Sequence, residues 1–495
     1  MILLLDIVVL LCLLFTLINL VSCDEAGSGG EEPRRPNVIV ILADDLGYGD
    51  LQVPPFLSPS KFDRIKTPHL KRMAHKSVIL TNFHTAAPQC TPTRASILTG
   101  LLPWRLGIST VFGTGPAANG HLANLGYNLP RMLQNNGYYT AHVGKWHLGG
   151  MTKKDIAERR NKGVNCTAGP LQHGFSEYVS MAEGPDSARL NYLLPNGVLY
   201  SEGSRHLVRN DQEMPTSNVL LTNKQASEAI RIMKESTSKN KPFFINLWFD
   251  APHGPYQKIR PFDSFYKGKK EEKQLEYATM VSSMDAQIGL VRSEVKKLNQ
   301  STIILFLSDN GPEDGAGSSG GFRGRKRSLY EGGIRVPCFF EWQDHFKENY
   351  RNSELVVSTD LFPTILELAK IPIPVDLKID GKSIINILEK NQISEHEGQG
   401  RKEDRIVKFY TEMKVNSSAV MYRGFKLFHD HTSNAWRMYD LRKDPTESNP
   451  IPLRSFPNFT EAIHTELLDF VANANKPHSL YDESCEQYEN SLPSM

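Results

Sequence analysis

Cysteine is scarce, with six in 495 residues. Two of them, Cys12 and Cys23, fall in an apolar leader, which leaves Cys90, Cys166, Cys338 and Cys485 far apart. That excludes a scaffold built on disulfides and leaves room for at most one bridge if Cys90 is committed to chemistry. An excess of charge of one sign is also missing. A net charge of +2 gives no electrostatic footprint for nucleic acid or for a strongly charged membrane surface. After residue 21 no apolar run is long enough to form a membrane-spanning helix, and no internal repeat is seen. The last residues, 491–495, carry neither a retention tetrapeptide nor a lipid-anchor tail. What remains is 23% charged and 40% hydrophobic, the composition of an ordinary globular protein, with length for one large domain and a smaller one.

Residues 2–21 are nearly all apolar, interrupted by Asp6 and Asn19, and small polar residues follow from Ser22. This reads as a secretory signal peptide over residues 1–23, cut near Cys23, although no Lys or Arg precedes the apolar run. An uncleaved anchor is the other reading. Residues 24–36 form a loose Gly- and Glu-rich leader. Sequons at Asn165, Asn299, Asn416 and Asn458 fit a glycoprotein of the secretory pathway, lysosomal or secreted.

Three segments predict buried strands that end in polar residues. Residues 37–43 are continuously apolar and end in Asp44 and Asp45; 242–249 end in Asp250 and His253; 301–307 end in Asp309 and Asn310. Such runs suit strands covered on both faces. Helical patterns lie between them. One begins near Thr222, where Thr222 and Gln225 have the spacing of a capping box. Another places Tyr277, Val281, Met284, Ile288, Val291, Val295 and Leu298 on one face. The alternation predicts an α/β fold: a large mixed, mostly parallel sheet flanked by helices over residues 37–375. A smaller C-terminal domain with an antiparallel sheet is expected over 376–495, closed by a helix near 461–472. Ligands of parallel sheets bind beyond the carboxyl ends of the strands, where all three segments carry reactive side chains.

The sharpest local signal is Cys90-Thr91-Pro92-Thr93-Arg94, followed by an apolar run and Leu98-Thr99-Gly100. Pro92 suits a first helical turn, so Cys90 is expected at a helix N-terminus that favours an anion. A lone cysteine there is otherwise a structural thiol. Asp44 and Asp45 together with Asp309 and Asn310 make an oxygen cage suited to a hard cation. Further segments stand out: Gly144-Lys145-Trp146-His147-Leu148-Gly149, the His253 segment, and Lys326 five residues before Glu331.

Taken together these segments resemble the sulfatase family of the alkaline phosphatase superfamily, over nearly the whole mature chain. C-x-P-x-R followed by L-T-G is that family's signal for oxidation of cysteine to formylglycine (3-oxoalanine). Thr93 and Leu101 depart from the Ser and Arg often found there. The resemblance implies a hydrolase of sulfate esters of glycans or aryl alcohols, and one Ca2+ (or Mg2+) bound by Asp44, Asp45, Asp309, Asn310 and modified Cys90. It also implies a formylglycine-generating enzyme as a biosynthetic partner. By the same analogy Arg94 and Lys145 hold the nucleophile and sulfate, Asp309 assists attack, His253 and Lys326 protonate the leaving alcohol, and His147 is the base that releases sulfate. Two alternatives stay open: a formylglycine-dependent phosphonate or phosphate ester hydrolase, and a non-catalytic secreted glycoprotein. Loops over 111–125 and 180–211 are expected to shape the substrate pocket.

Overall fold

The computed structural model describes residues 34–56, 65–111, 121–153, 156, 157, 168–181, 207–214, 219–266, 271–389, 405–412, 416–453 and 465. The signal peptide, Asn165, Asn458, Cys166, Cys485 and most of the two substrate loops lie outside these residues, as does all but residue 465 of the helix expected near 461–472. By its contacts the chain divides into Met1–Arg35 and Pro36–Met495, and the described strands and helices all belong to the second unit.

The strands are β1 (Asn37–Ala43), β2 (Val78–Leu80), β3 (Phe83–His84), β4 (Tyr139–Gly144), β5 (Glu177–Met181), β6 (Leu207–Arg209), β7 (Gln212–Glu213) and β8 (Phe243–Trp248). They continue as β9 (Thr302–Ser308), β10 (Cys338–Trp342), β11 (Tyr350–Asn352), β12 (Val356–Val357), β13 (Val407–Thr411), β14 (Ser417–Tyr422), β15 (Phe425–Asp430) and β16 (Ala435–Asp440). Among the described residues the main sheet has ten strands in the order β11-β2-β10-β9-β1-β8-β4-β5-β6-β7. Its centre, β9-β1-β8-β4-β5, is parallel throughout, while β10 and β6 run antiparallel to their neighbours. The expected mixed, mostly parallel sheet is therefore present, with all three expected strands at its centre.

The two faces of β1 explain its unbroken apolar sequence. Val38, Val40 and Leu42 pack with helices α1 (Cys90–Thr99) and α4 (Leu361–Leu368). Ile39, Ile41 and Ala43 pack on the other side with α2 (Leu221–Ser238) and α3 (Glu272–Leu298). Side chains alternate along a strand, so a strand covered on both faces has no polar side. The expected apolar stripe of α3 is the face that meets the sheet. The capping box does not form: Leu220 is the N-cap of α2 and makes no side-chain cap bond. Thr222 instead lies 3.2 Å from the Ser283 hydroxyl, and Gln225 donates to Asp250. A tertiary partner for each side chain outweighs the local one.

The antiparallel sheet β13-β14-β15-β16 buries Phe409, Met421, Phe428 and Tyr439 against Leu329 and Ile334, which flank Glu331, just beyond Lys326. Under that contact, fully buried Lys426 lies 3.1 Å from Glu331 and 2.9 Å from Glu447. The Glu331 N–H donates to Glu447 at 2.7 Å, and His84 lies 3.1 Å from Glu331. Removing the ammonium would leave Glu447 without its cation beside Glu331, which would keep only His84 and the Arg335 guanidinium, 3.2 Å away. Lys426→Ala is therefore expected to lower the unfolding free energy by about 3–5 kcal/mol, seen as a lower urea midpoint. A midpoint matching wild type would show that the Arg335 guanidinium on Glu331 suffices for this pair of carboxylates.

Candidate active site

Four neighbouring parallel strands end at one edge of the sheet, and their ladders continue past the strand ends. The Asp309 N–H donates to Ala43 O and the Asp44 N–H to Ala251 O, both at 3.1 Å; the Lys145 N–H donates to Trp248 O at 2.9 Å. These bonds fix the register at which β9 delivers Asp309 and Asn310, β1 delivers Asp44 and Asp45, β8 delivers Asp250 and His253, and β4 delivers Lys145 and His147. Gly144 ends β4 at a positive φ of 111°, and a Cβ there would collide with Trp248 O. Only glycine lets the backbone pass close enough to aim Lys145 at the carboxylates.

Cys90 opens α1 beneath this edge, as expected, with Pro92 in the first turn. Its Sγ lies 3.5 Å from Asp44 Oδ1. Arg94, one turn on, is fully buried and donates to Asp309 Oδ2 from Nε (3.1 Å) and Nη2 (2.7 Å), and from Nη1 to Lys145 O at 2.8 Å. Lys145 Nζ is 2.5 Å from Asp44 Oδ2. Lys326 Nζ is 2.6 Å from Asp45 Oδ1, and Asn310 donates to the same oxygen at 2.6 Å. His253 Nε2 sits 3.6 Å from Asp45 Oδ2. Thr91 of α1 donates to His147 O at 2.9 Å, tying the histidine to the turn that carries Cys90. The structure thus gathers every residue expected to act, Cys90, Arg94, Lys145, His147, His253, Asp309 and Lys326, with Asp44, Asp45 and Asn310, into one basin.

Asp45 and His147 hold positive φ angles of 65° and 54°, unusual for residues with a Cβ and common where surrounding structure imposes function. For Asp45 the imposing contact is its N–H donating to Asp309 Oδ1 at 3.1 Å, with the Tyr277 hydroxyl 3.2 Å from its carbonyl.

Burial alone would make these groups neutral; the charges around them decide otherwise. Burial acts to raise the Asp44 pKa, yet Lys145, then His253 and Arg94, outweigh it and hold the carboxyl well below its usual range. Asp45 is likewise lowered against burial, mainly by Lys326. Asp309 goes the other way. Burial and the adjacent Asp44 push it up to about 6 despite Arg94. Burial and Lys145 depress His147, so its imidazole is neutral and able to accept a proton. Burial raises the Cys90 thiol strongly, beyond what Lys145 and Lys326 offset. An unmodified thiol here is a poor nucleophile at neutral pH, because the thiolate is the reactive form.

Ligand atoms of Asp44, Asp45, Cys90 and His253 all lie within 4.8 Å of one another. Asn310 Oδ1 is buried and has no hydrogen-bond partner, although a carboxamide oxygen so placed normally has one. An orphaned oxygen beside carboxylate oxygens fits a hard cation. Two supports escape a reading of the sequence. Tyr277, which shows there only as part of an apolar stripe, donates to Asp50 at 2.6 Å and lies 3.2 Å from Asp45 O. Asp250, which shows only as a strand terminus, is buried and accepts from Gln225 Nε2 at 2.5 Å. A signal exists for the first, since a tyrosine on a buried stripe must place its hydroxyl.

Known proteins bear on this basin. A family model described as Sulfatase matches residues 36–371, and one described as N-sulphoglucosamine sulphohydrolase, C-terminal, matches residues 320–476. The N-acetylgalactosamine-6-sulfatase of Mus musculus is 31% identical over 455 residues, 88% of this chain and 79% of that protein. The steryl-sulfatase of Homo sapiens is 28% identical, over 87% of this chain and 86% of its own. Among solved structures, Ps i-CgsB in complex with k-i-k-neocarrahexaose superposes with a TM-score of 0.75 at 25% identity, covering 93% of this chain and 98% of that one. With carboxylates, cations and Cys90 meeting where the resemblance placed them, and a family match over most of its length, this chain belongs to the sulfatase family of sulfuric ester hydrolases.

Proposed function

We propose that the protein is a formylglycine-dependent, divalent-cation-dependent sulfatase of the secretory pathway acting on sulfated glycans. The observation that carries this is the position of Cys90: at the start of α1, 3.5 Å from Asp44, in a basin of charged groups, with a thiol too hard to ionise to serve unmodified. Converted to formylglycine and hydrated, residue 90 would supply two hydroxyls on one carbon, one to attack sulfur and one whose deprotonation expels sulfate. A calcium or magnesium ion held by Asp44, Asp45, Asp309 and Asn310 beside residue 90 would supply positive charge for the sulfate. Asp44, Asp45 and Asp309 are matched by Arg94, Lys145 and Lys326, so without the ion the basin has no net attraction for an anion.

The protein's own groups divide the remaining work. Arg94, gripping Asp309 and Lys145 O, orients residue 90 and the acceptor Asp309. Lys145 faces the sulfate beside Asp44. Lys326 stays protonated because Asp45 outweighs the effect of burial; with His253, it would protonate the leaving alcohol. Neutral His147 accepts the proton whose loss releases sulfate. The relatives' names, N-acetylgalactosamine-6-sulfatase among them, support a sulfated sugar as substrate. The motif at Cys90 implies the formylglycine-generating enzyme as partner. The phosphonate-hydrolase and non-catalytic readings have no observation in their favour.

Separate measurements test the nucleophile, the cation and the secretory assignment. Mass spectrometry of the peptide containing residue 90, from protein made in a secretory pathway, is expected to show formylglycine. Cys90→Ser keeps one hydroxyl and loses the second, so turnover should fall at least about 100-fold, the scale of a lost essential group, while a sulfate adduct accumulates on residue 90. Near wild-type turnover by that variant would overturn the mechanism. Chelation should abolish sulfate release, and added calcium or magnesium should restore it. Elemental analysis should find one such ion per chain, and two zinc ions would refute the cation assignment. Asn299 is exposed at the end of α3, so glycosidase treatment should raise gel mobility. A cytosolic, unglycosylated product would remove the secretory assignment.

A further inference from the structure

Among the residues assigned to the cation, Asp45 alone has a positive φ, 65°. A side chain disfavours that conformation, and it persists only where surrounding contacts impose it. The ladder of β1 does not reach so far, because the strand ends at Ala43. Beyond Asp45 the chain turns back on itself over residues 45–50. The Gly47 N–H donates to Asp50 Oδ2 at 2.8 Å, and the Asp50 N–H donates to Gly47 O at 3.2 Å. The position of Asp45 therefore depends on what holds this turn.

Tyr277 of α3 holds it. The buried hydroxyl donates to Asp50 Oδ2 at 2.6 Å, shares the Gly47 N–H at 3.4 Å and lies 3.2 Å from Asp45 O. Burial and the Asp50 carboxylate push its pKa well up, so it remains a donor. The other Asp50 oxygen accepts the Ser318 N–H at 2.8 Å, and the Gly49 N–H donates to Ser318 O at 2.8 Å. Ser318 lies in the chain between Asn310 and Lys326. One carboxylate thus joins the turn after Asp45, helix α3 and the segment that carries Asn310 and Lys326. The packing is close enough to require glycine at two positions. A Cβ at Gly47 would collide with Ser318 O and Asp50, and one at Gly317 with Asp50 and the Tyr277 hydroxyl.

We propose that Tyr277 is a positioning residue for the cation, acting through Asp50 and the backbone of residues 45–47. Its hydroxyl bonds no side chain assigned to the cation; it fixes the turn that holds the Asp45 carboxylate beside Asn310. Without the hydroxyl, Asp50 keeps two backbone donors. It also borders a polar recess of about 120 Å³, lined among others by Gln274, Ser318 and Arg325, which has room for water. Water there solvates Asp50 but is not attached to α3. The fold bears the change, the turn loses its tie to the helix, and Asp45 is free to leave its disfavoured φ and its place beside Asn310. The inference rests on the cation reading above and adds a residue that sets the affinity.

The test uses the full-length, formylglycine-bearing protein stripped of cations by chelation. Calcium binding is measured directly by calorimetry, and Tm is read with and without calcium. In Tyr277→Phe the calcium Kd is expected to rise about 10-fold or more, the scale of a lost outer-shell partner. The gain in Tm that calcium gives at a fixed concentration should shrink accordingly, and sulfate release should recover toward the wild-type kcat as calcium is raised. Gly317→Ala displaces the hydroxyl without removing it and should weaken calcium in the same direction. Tyr266→Phe is the control. It removes another buried hydroxyl that meets α3, 2.6 Å from Ser282, and should lower stability while leaving the calcium Kd at its wild-type value. A wild-type Kd in Tyr277→Phe would overturn the inference, as would an equal rise in Tyr266→Phe. Should Tyr277→Phe not fold, the Kd of Gly317→Ala decides by the same criterion. Failure of the wild type to bind calcium or magnesium would instead overturn the cation reading itself.

Discussion

Three carboxylates, Asp44, Asp45 and Asp309, are buried to within 1% exposure at adjacent strand ends, and the rest of the site is arranged around making that tolerable. Buried charges persist only when paired and hydrogen-bonded. Each carboxylate has its own cation: Lys145 on Asp44, Lys326 on Asp45, Arg94 on Asp309. The cations come from three separate parts of the chain, the end of β4, the segment before Glu331 and helix α1. Pairing the carboxylates therefore determines where those segments sit, and Cys90 is carried into the basin by the helix that brings Arg94.

This dependence runs outward to the antiparallel sheet. The segment with Lys326 is held by the Lys326 N–H on Pro312 O at 3.1 Å and by the Arg327 N–H on Pro88 O at 2.8 Å, next to the residues that bear Asn310 and Cys90. On its far side, Leu329 and Ile334 lie under Phe409, Phe428 and Tyr439, while Glu331 is clasped by His84 and Lys426. The C-terminal strands thus act on the chemistry without entering it. They hold the turn whose lysine balances Asp45.

The centre of this arrangement is legible in the sequence for a physical reason. A strand covered on both faces has no polar side, so the apolar runs at β1, β8 and β9 stand out, and the polar residues that end them fall at the sheet's ligand-binding edge. Lys145, His147 and Lys326 are found only through motif resemblance, because lysines and histidines in loops carry no periodic signal. The supports are hidden. Glu331 with Lys426, Asp250 with Gln225, and Asp50 with Tyr277 are pairs separated by 95, 25 and 227 residues, and nothing in either partner's neighbourhood announces the other. The apparent capping box at Thr222 fails for the same reason: Ser283 and Asp250, distant in sequence, offer those side chains better partners than the helix end.

The site and a small cavity beside it are built by different means. The basin's residues are locked by backbone ladders that extend the parallel sheet and by buried ion pairs, so a change at any one of them disturbs the others. The cavity is lined by side chains from α2, from α3 and from the loop after β8, and of the basin's acting residues His253 alone reaches it. A substitution at Leu221, Ile259 or Met280 alters the shape of the cavity without removing a charge from the basin.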